Sequence, residues 1–536
     1  MSETDEAPGP AAPRRRIWPF VLVAAVAAAA TVGLAFVVIT NGMGDREPAG
    51  TGERVVDLDA TSYSPADWGQ YYPYQYERYQ LTAEITPTRH VSAWQPSTQE
   101  ERTTTPAVAP AAPAPAAVTY PDERDTVAPS KLVEDPRLKT LFAGYAFSKD
   151  YRHVRGHEWM LTDQQQTLRV LALADGPSPQ PGSCANCHSS IVPIVDALGD
   201  GADKGTGLNA AGWAAMNQTP YTELQIEHGD AMTPIACIDC HDPETRALRI
   251  TRPALVEGMR VLKASEGIEG YDVNQDATHQ EMRSLVCAQC HVEYYFKGPE
   301  RTLTYPWHNG TDINGTWDYY AAVEITGADG KVTTGFTDYT NGISGAKTLK
   351  AQHPEYEAWS QGIHAEIGVT CADCHMNYVR RDGRKVSNHR IASPMAEVTA
   401  SCGMCHTGST AQLELRVTTI QGMFVENRDT TLAGVVGLVE SIGAAVDGGM
   451  PENDPRIGLA RQYQGLASYY LDYAYSANSY GFHAPAYFER ILGQSAEAVR
   501  NGELALLGVP QAQLVPLAEL SAVTTLDQLG AGAASG

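Results

Sequence analysis

Apolar positions fall into three patterns along the 536 residues. The first is an unbroken run from Ile17 to about Thr40, preceded by Arg14, Arg15 and Arg16. It is long enough to cross a bilayer. It exceeds the apolar core of a signal peptide and no small-residue cleavage site follows, so it predicts a transmembrane anchor over 17–40; a cleaved signal is the alternative. The positive-inside rule then leaves residues 1–16 in the cytoplasm and everything after Thr40 on the periplasmic side. The second pattern is helical and fills 410–536. It predicts helices from Thr410 to Val446, from Pro455 to Ser479 and from about Ala484 to Leu507, with Gly448, Gly449 and Pro451 as breakers. Leu459, Tyr463, Leu466, Tyr470 and Tyr473 recur at three- and four-residue steps, as the core of a bundle or as a dimer interface. The third pattern is an aromatic cluster inside the otherwise polar segment 41–128: Trp68, Tyr71, Tyr72, Tyr74, Tyr76 and Tyr79. A disordered tether rarely carries so many aromatics, so this piece is expected to pack on the main body. Thr103 to Val118, rich in Pro and Ala, reads as an extended linker or a long surface loop.

Composition narrows the function. Hydrophobic residues make up 43% of the chain, enough for a globular core. The net charge of −24 argues against a nucleic-acid partner, which needs a basic face. It suits the surface of an exported, soluble body. An anionic substrate would have to be drawn in by a local positive patch.

The chemistry lies in the middle, over 129–409. Five Cys-x-x-Cys-His motifs begin at Cys184, Cys237, Cys287, Cys371 and Cys402. Their second cysteines are Cys187, Cys240, Cys290, Cys374 and Cys405, so the motifs use all ten cysteines of the chain. Each motif reads as a c-type haem attachment site, in which the two thiols bond to the porphyrin and the His ligates iron. A single Cys-x-x-Cys could be a zinc knuckle or a redox dithiol; five copies, each ending in His, are not. The motif His residues are His188, His241, His291, His375 and His406. Intervals of 53, 50, 84 and 31 residues between first cysteines exclude a tandem repeat. They are also too short for independent modules. The expected fold is therefore mainly α with little β structure: one domain wrapped round five covalent haems, its helices short and set at the motif turns, followed by long C-terminal helices. Of 15 histidines, ten lie outside the motifs. That is enough to cap every iron, so counting alone identifies no open one.

Longer signatures carry a resemblance. Ala143-Gly-Tyr-Ala-Phe-Ser-Lys-Asp-Tyr151, Arg155-Gly-His157, Thr167-Leu-Arg169, Cys287-Ala-Gln-Cys-His-Val-Glu-Tyr-Tyr-Phe296 and Lys350-Ala-Gln-His-Pro-Glu-Tyr-Glu357 follow in order. In these the chain resembles the ammonia-forming pentahaem cytochrome c nitrite reductases, over roughly two-thirds of its length, from about Glu134 to the helix after His483. The resemblance implies a nitrite pocket at the haem of Cys184 and Cys187, lined by Arg169, Tyr294 and His353. Arg169 would hold the anion, His353 would deliver protons and Tyr294 would orient intermediates. It implies calcium beside that pocket, held by Glu293 and Gln352 side chains and by Tyr294 and Lys350 carbonyls. It implies second axial ligands as well: His157 on the third haem, His389 on the second, His364 on the fifth and His483 on the fourth. The first haem is left open. One position departs from the better-known members, which carry Lys where this chain has His188. A spare His such as His153 could close that iron. A membrane quinol-linked cytochrome or a soluble cytochrome would donate electrons, and the C-terminal helices would form a homodimer. Reduction of hydroxylamine or sulfite on the same scaffold, or electron transfer without catalysis, are the rival readings.

Overall fold

Three long helices appear where the periodicity predicts them. The computed structural model describes residues 56–85, 128–171 and 180–522; the anchor expected over 17–40 and the Pro/Ala-rich stretch lie outside these. Helix α1 is Thr410–Asp447, α2 Pro455–Ser476 and α3 Pro485–Leu506. Ser409 starts α1 with a capping box: its hydroxyl accepts from Gln412 N at 3.3 Å and Gln412 Oε1 accepts from Ser409 N at 2.9 Å. Gly449 follows α1 at φ +96°, a conformation that disfavours any Cβ. Asp454 caps α2 ahead of Pro455. Helix α2 ends at Ser476, three residues short of Ser479, because the backbone N–H of Asn478 is given to the Glu355 carboxylate.

Helix α2 is buried on nearly every side. Tyr463, Leu466, Tyr470 and Tyr473 are at most 1% exposed within a single chain, so their periodicity is core packing. Helices α1 and α3 cover them in one apolar cluster that also takes in Leu138, Leu141, Phe142 and Tyr339. Among the described residues α1 alone is long and apolar enough to cross a membrane, with half of its most apolar window buried in the protein.

The middle of the chain is built from short pieces. Its longest helix, Pro253–Ser265, has 13 residues. The described strands form four two-stranded antiparallel ribbons, such as Tyr295–Lys297 with Thr302–Thr304. From Leu58 onward the described residues form one unit. The aromatic segment packs on it as expected. Trp68 is 4% exposed, Tyr79 donates to Ile235 O at 2.7 Å, and Arg78 Nε donates to Asn388 Oδ1 at 2.8 Å.

Candidate functional site

Each Cys-x-x-Cys-His motif occupies or adjoins a helical turn. In the second, third and fifth, the His backbone N–H donates to the first Cys carbonyl at 2.9 to 3.0 Å. One turn thus carries both thiols and the imidazole. The second x residue is polar in four motifs, and it braces the motifs against each other. Asn186 Nδ2 donates to Gln289 O at 3.2 Å, and Gln289 Nε2 donates to Asp239 O at 3.2 Å. Arg252, fully buried, pairs with Asp239 at 2.6 Å and donates to Asn186 O and Ser189 O. Arg283 pairs with Asp373 at 2.8 Å and ties the fourth motif to the helix that carries the third. Sequence reading missed these residues; a recurring polar second x was the signal.

Four motif histidines face a second imidazole. Ring centroids are 6.2 Å apart for His241 and His389, 6.1 Å for His291 and His157, 6.3 Å for His375 and His483, and 6.2 Å for His406 and His364. A metal bound by a nitrogen about 2 Å away on each side needs ring centroids roughly 6 Å apart. The pairs are those implied for the second, third, fourth and fifth motifs, and their spacing fits a haem iron between each. Backbone carbonyls fix several rings. His188 Nδ1 lies 3.1 Å from Met160 O, His241 Nδ1 3.0 Å from Arg246 O, His375 Nδ1 2.9 Å from Ala392 O and His389 Nδ1 3.0 Å from Ser387 O. Such contacts present Nε2 to a metal.

His188 faces no second imidazole among the described residues. His153 is engaged elsewhere, its Nε2 2.6 Å from Glu134 Oε2. Arg169 and His353 instead lie close enough to His188 to act on its charge, and Tyr294 acts in turn on Arg169. Arg169 is steadied by its Nη1 bond to Asp150 O at 3.0 Å and by the Phe147 ring 4.2 Å from its guanidinium carbon. The other guanidinium nitrogens make no hydrogen bond among the described residues. Burial holds the Tyr294 phenol well above its usual pKa, so it stays a proton donor. Burial first, then neighbouring His291, lowers His353 to about 3. Its ring is therefore a neutral hydrogen-bonding group at neutral pH, with Asn478 Nδ2 3.3 Å from its Nε2.

The residues implied for calcium also converge. Glu293, 1% exposed, accepts from Gln352 N at 2.7 Å and from Tyr320 OH at 3.1 Å. Gln352 Nε2 donates to Lys350 O at 3.1 Å, and Tyr294 adjoins Glu293 in the chain. Among the described residues no three His, Cys, Asp or Glu side chains gather into a metal site. A set of one carboxylate, one amide and backbone carbonyls does not need them. Burial pushes Glu293 well above the carboxylate range, Asp338 up to about 7 and Glu357 up to about 8. A divalent cation among them would offset that penalty. The Lys350 ammonium offsets it only in part for Glu293 and Asp338, being paired with Asp472 at 3.0 Å with both side chains 1% exposed. Asp472 and Ser476, one turn apart on α2, were missed in the sequence. They hold the Lys350–His353 segment through Lys350 Nζ and through Ala351 N, which donates to Asp472 Oδ2 at 2.8 Å.

Known proteins are similar to the chain over most of its length. The cytochrome c552 family profile matches residues 64–519. The cytochrome c-552 of Parabacteroides distasonis is 38% identical over 375 residues, covering 69% of this chain and 68% of its own length. That of Bacteroides thetaiotaomicron is 38% identical over 383 residues, covering 71% and 70%. The fold is similar to the catalytic subunit of the cytochrome c nitrite reductase of Desulfovibrio desulfuricans, a structure described with two calcium sites. That match has a TM-score of 0.66 and 27% identity over 90% of each chain. A mostly helical fold shared with a multihaem cytochrome, together with a match over most of the chain, settles the family: the chain belongs to the cytochrome c552 family.

Proposed function

We propose that this protein reduces nitrite to ammonium at the haem attached through Cys184 and Cys187, with four further haems between the paired histidines as its electron supply. The observation that carries the reading is the asymmetry of the array. Four motif histidines face a partner ring, whereas His188 faces the neighbourhood of Arg169, Tyr294 and His353. The family membership and the similar nitrite reductase support the same reaction. When bound, the haem supplies a site for the nitrite nitrogen and delivers electrons.

The chain's own residues bind the anion and manage protons. Arg169 concentrates nitrite against a net charge of −24 and stabilises negative charge on its oxygens. Tyr294, kept protonated by burial, donates to an oxygen. His353 hydrogen-bonds the other and passes protons in from solvent. Six electrons and eight protons turn nitrite into ammonium and two waters, so proton supply matters as much as binding. Calcium held by Glu293 and Gln352 side chains and by Tyr294 and Lys350 carbonyls would stiffen the pocket wall and add positive charge. The experiment is direct: purified holoprotein with a chemically reduced dye and nitrite should form ammonium in proportion to dye oxidised. Dye oxidation without ammonium would sink the proposal.

The same reading places the protein outside the cytoplasmic membrane, fed by a membrane quinol-linked or soluble cytochrome, and working as a homodimer. Leu415 and Met423 on the first half of α1 are 50% and 57% exposed. These apolar side chains of α1 would be covered in a dimer. The double variant Leu415→Glu/Met423→Glu should sediment as a monomer, and an unchanged sedimentation coefficient would refute this interface.

A further inference from the structure

Glu355 stands between two parts of the array. Its Oε2 lies 3.1 Å from His483 Nδ1 in an ion-pair contact, and both buried atoms are without a hydrogen-bond partner among the described residues. Its Oε1 lies 3.8 Å from His353 Nδ1 and accepts from Asn478 N. The Asn478 side chain meanwhile reaches His353 Nε2 at 3.3 Å. Pro354, at φ −75°, joins His353 to Glu355, and Glu355 N donates back to His353 O at 2.7 Å. The carboxylate is 8% exposed, so water does little to screen it.

His483 differs from the other fixed rings. His188, His241, His375 and His389 each direct Nδ1 at a neutral backbone carbonyl. His483 directs it at a carboxylate. A carboxylate draws the Nδ1 proton and makes Nε2 a stronger donor to a bound metal, which favours the oxidised state.

Resting on the haem-ligand reading above, we infer that Glu355 is a positioning residue shared by two sites. Through His483 it lowers the reduction potential of the haem between His375 and His483, and through Asn478, whose backbone it holds and whose side chain meets His353 Nε2, it positions the ring beside the substrate. That haem is thereby singled out among the four with paired histidines, and its charge state is felt at the pocket through one side chain.

Glu355→Gln in the full holoprotein keeps the shape and removes the charge. In an optical redox titration, one low-spin haem should shift to higher potential while the others hold. Turnover of nitrite should fall about tenfold with KM little changed. An unchanged set of potentials overturns the proposal. Should the variant assemble poorly, near-infrared magnetic circular dichroism of the unaltered protein decides. One bis-histidine haem should show an imidazolate-like charge-transfer band displaced to higher energy, and a single common band overturns the inference. If the unaltered protein makes no ammonium yet the shift appears in Glu355→Gln, the nitrite reading fails and this assignment stands. Ammonium formation with no shift has the opposite meaning.

Discussion

Arg169→Ala should lower kcat/KM for nitrite by about 10²–10³-fold, the usual loss when one preorganised donor to a developing oxyanion is removed. The reason is electrostatic. Under the proposed function nitrite approaches a protein of net charge −24, and Arg169 is a cation that bears on His188. Its guanidinium is held in place by Asp150 O and the Phe147 ring, so the donors are aimed before substrate arrives. Part of the loss should appear in KM, because the same charge gathers the anion. Arg169→Lys keeps the charge but loses the planar fork, and should recover KM more than kcat. Steady-state ammonium production over a nitrite series, with haem content matched between variants, provides the check. If Arg169→Ala turns over at the unaltered rate, Arg169 has no part in the reaction.

The sequence made some of this site plain and hid the rest, for physical reasons. The Cys-x-x-Cys-His strings are local, because one helical turn carries both thiols and the imidazole. The long C-terminal helices were legible within a few residues, because three-and-four periodicity is also local; Ser476 in place of Ser479 reflects a tertiary bond to Glu355 that no periodicity contains. Which histidine faces which motif is not local at all. His157 lies far upstream of His291, and His483 far downstream of His375, yet their rings end up about 6 Å apart. Only the resemblance paired them. The braces were hidden for the same reason. Arg252 and Arg283 carry no mark in the sequence, and only the fold buries them on Asp239 and Asp373. The ion pair of Lys350 and Asp472 spans 122 positions, and the only local hint was two polar residues one turn apart in an apolar helix.

That ion pair carries the largest stability effect. Asp472→Ala leaves the Lys350 ammonium buried without its counter-charge, which should destabilise the holoprotein by about 3–5 kcal/mol. Burial works against the ammonium, but Asp472, Tyr151 and Glu293 together outweigh it, so the lysine keeps its proton in the folded protein and the charge remains to be balanced. The damage should reach the pocket. Asp472 also accepts from Ala351 N, and the segment it holds runs straight into Gln352 and His353. Turnover should therefore fall together with stability, and the variant should lose calcium more readily to a chelator. A double variant, Lys350→Met/Asp472→Leu, separates the two effects. Replacing both charges by apolar groups of similar size should restore most of the stability. Lys350 would give calcium its carbonyl and not its ammonium, so the double variant should also keep the ion. Chemical denaturation alongside calcium content checks both points. A double variant as unstable as Asp472→Ala would mean that the hydrogen bond to Ala351, more than the charge pair, fixes α2 to the site.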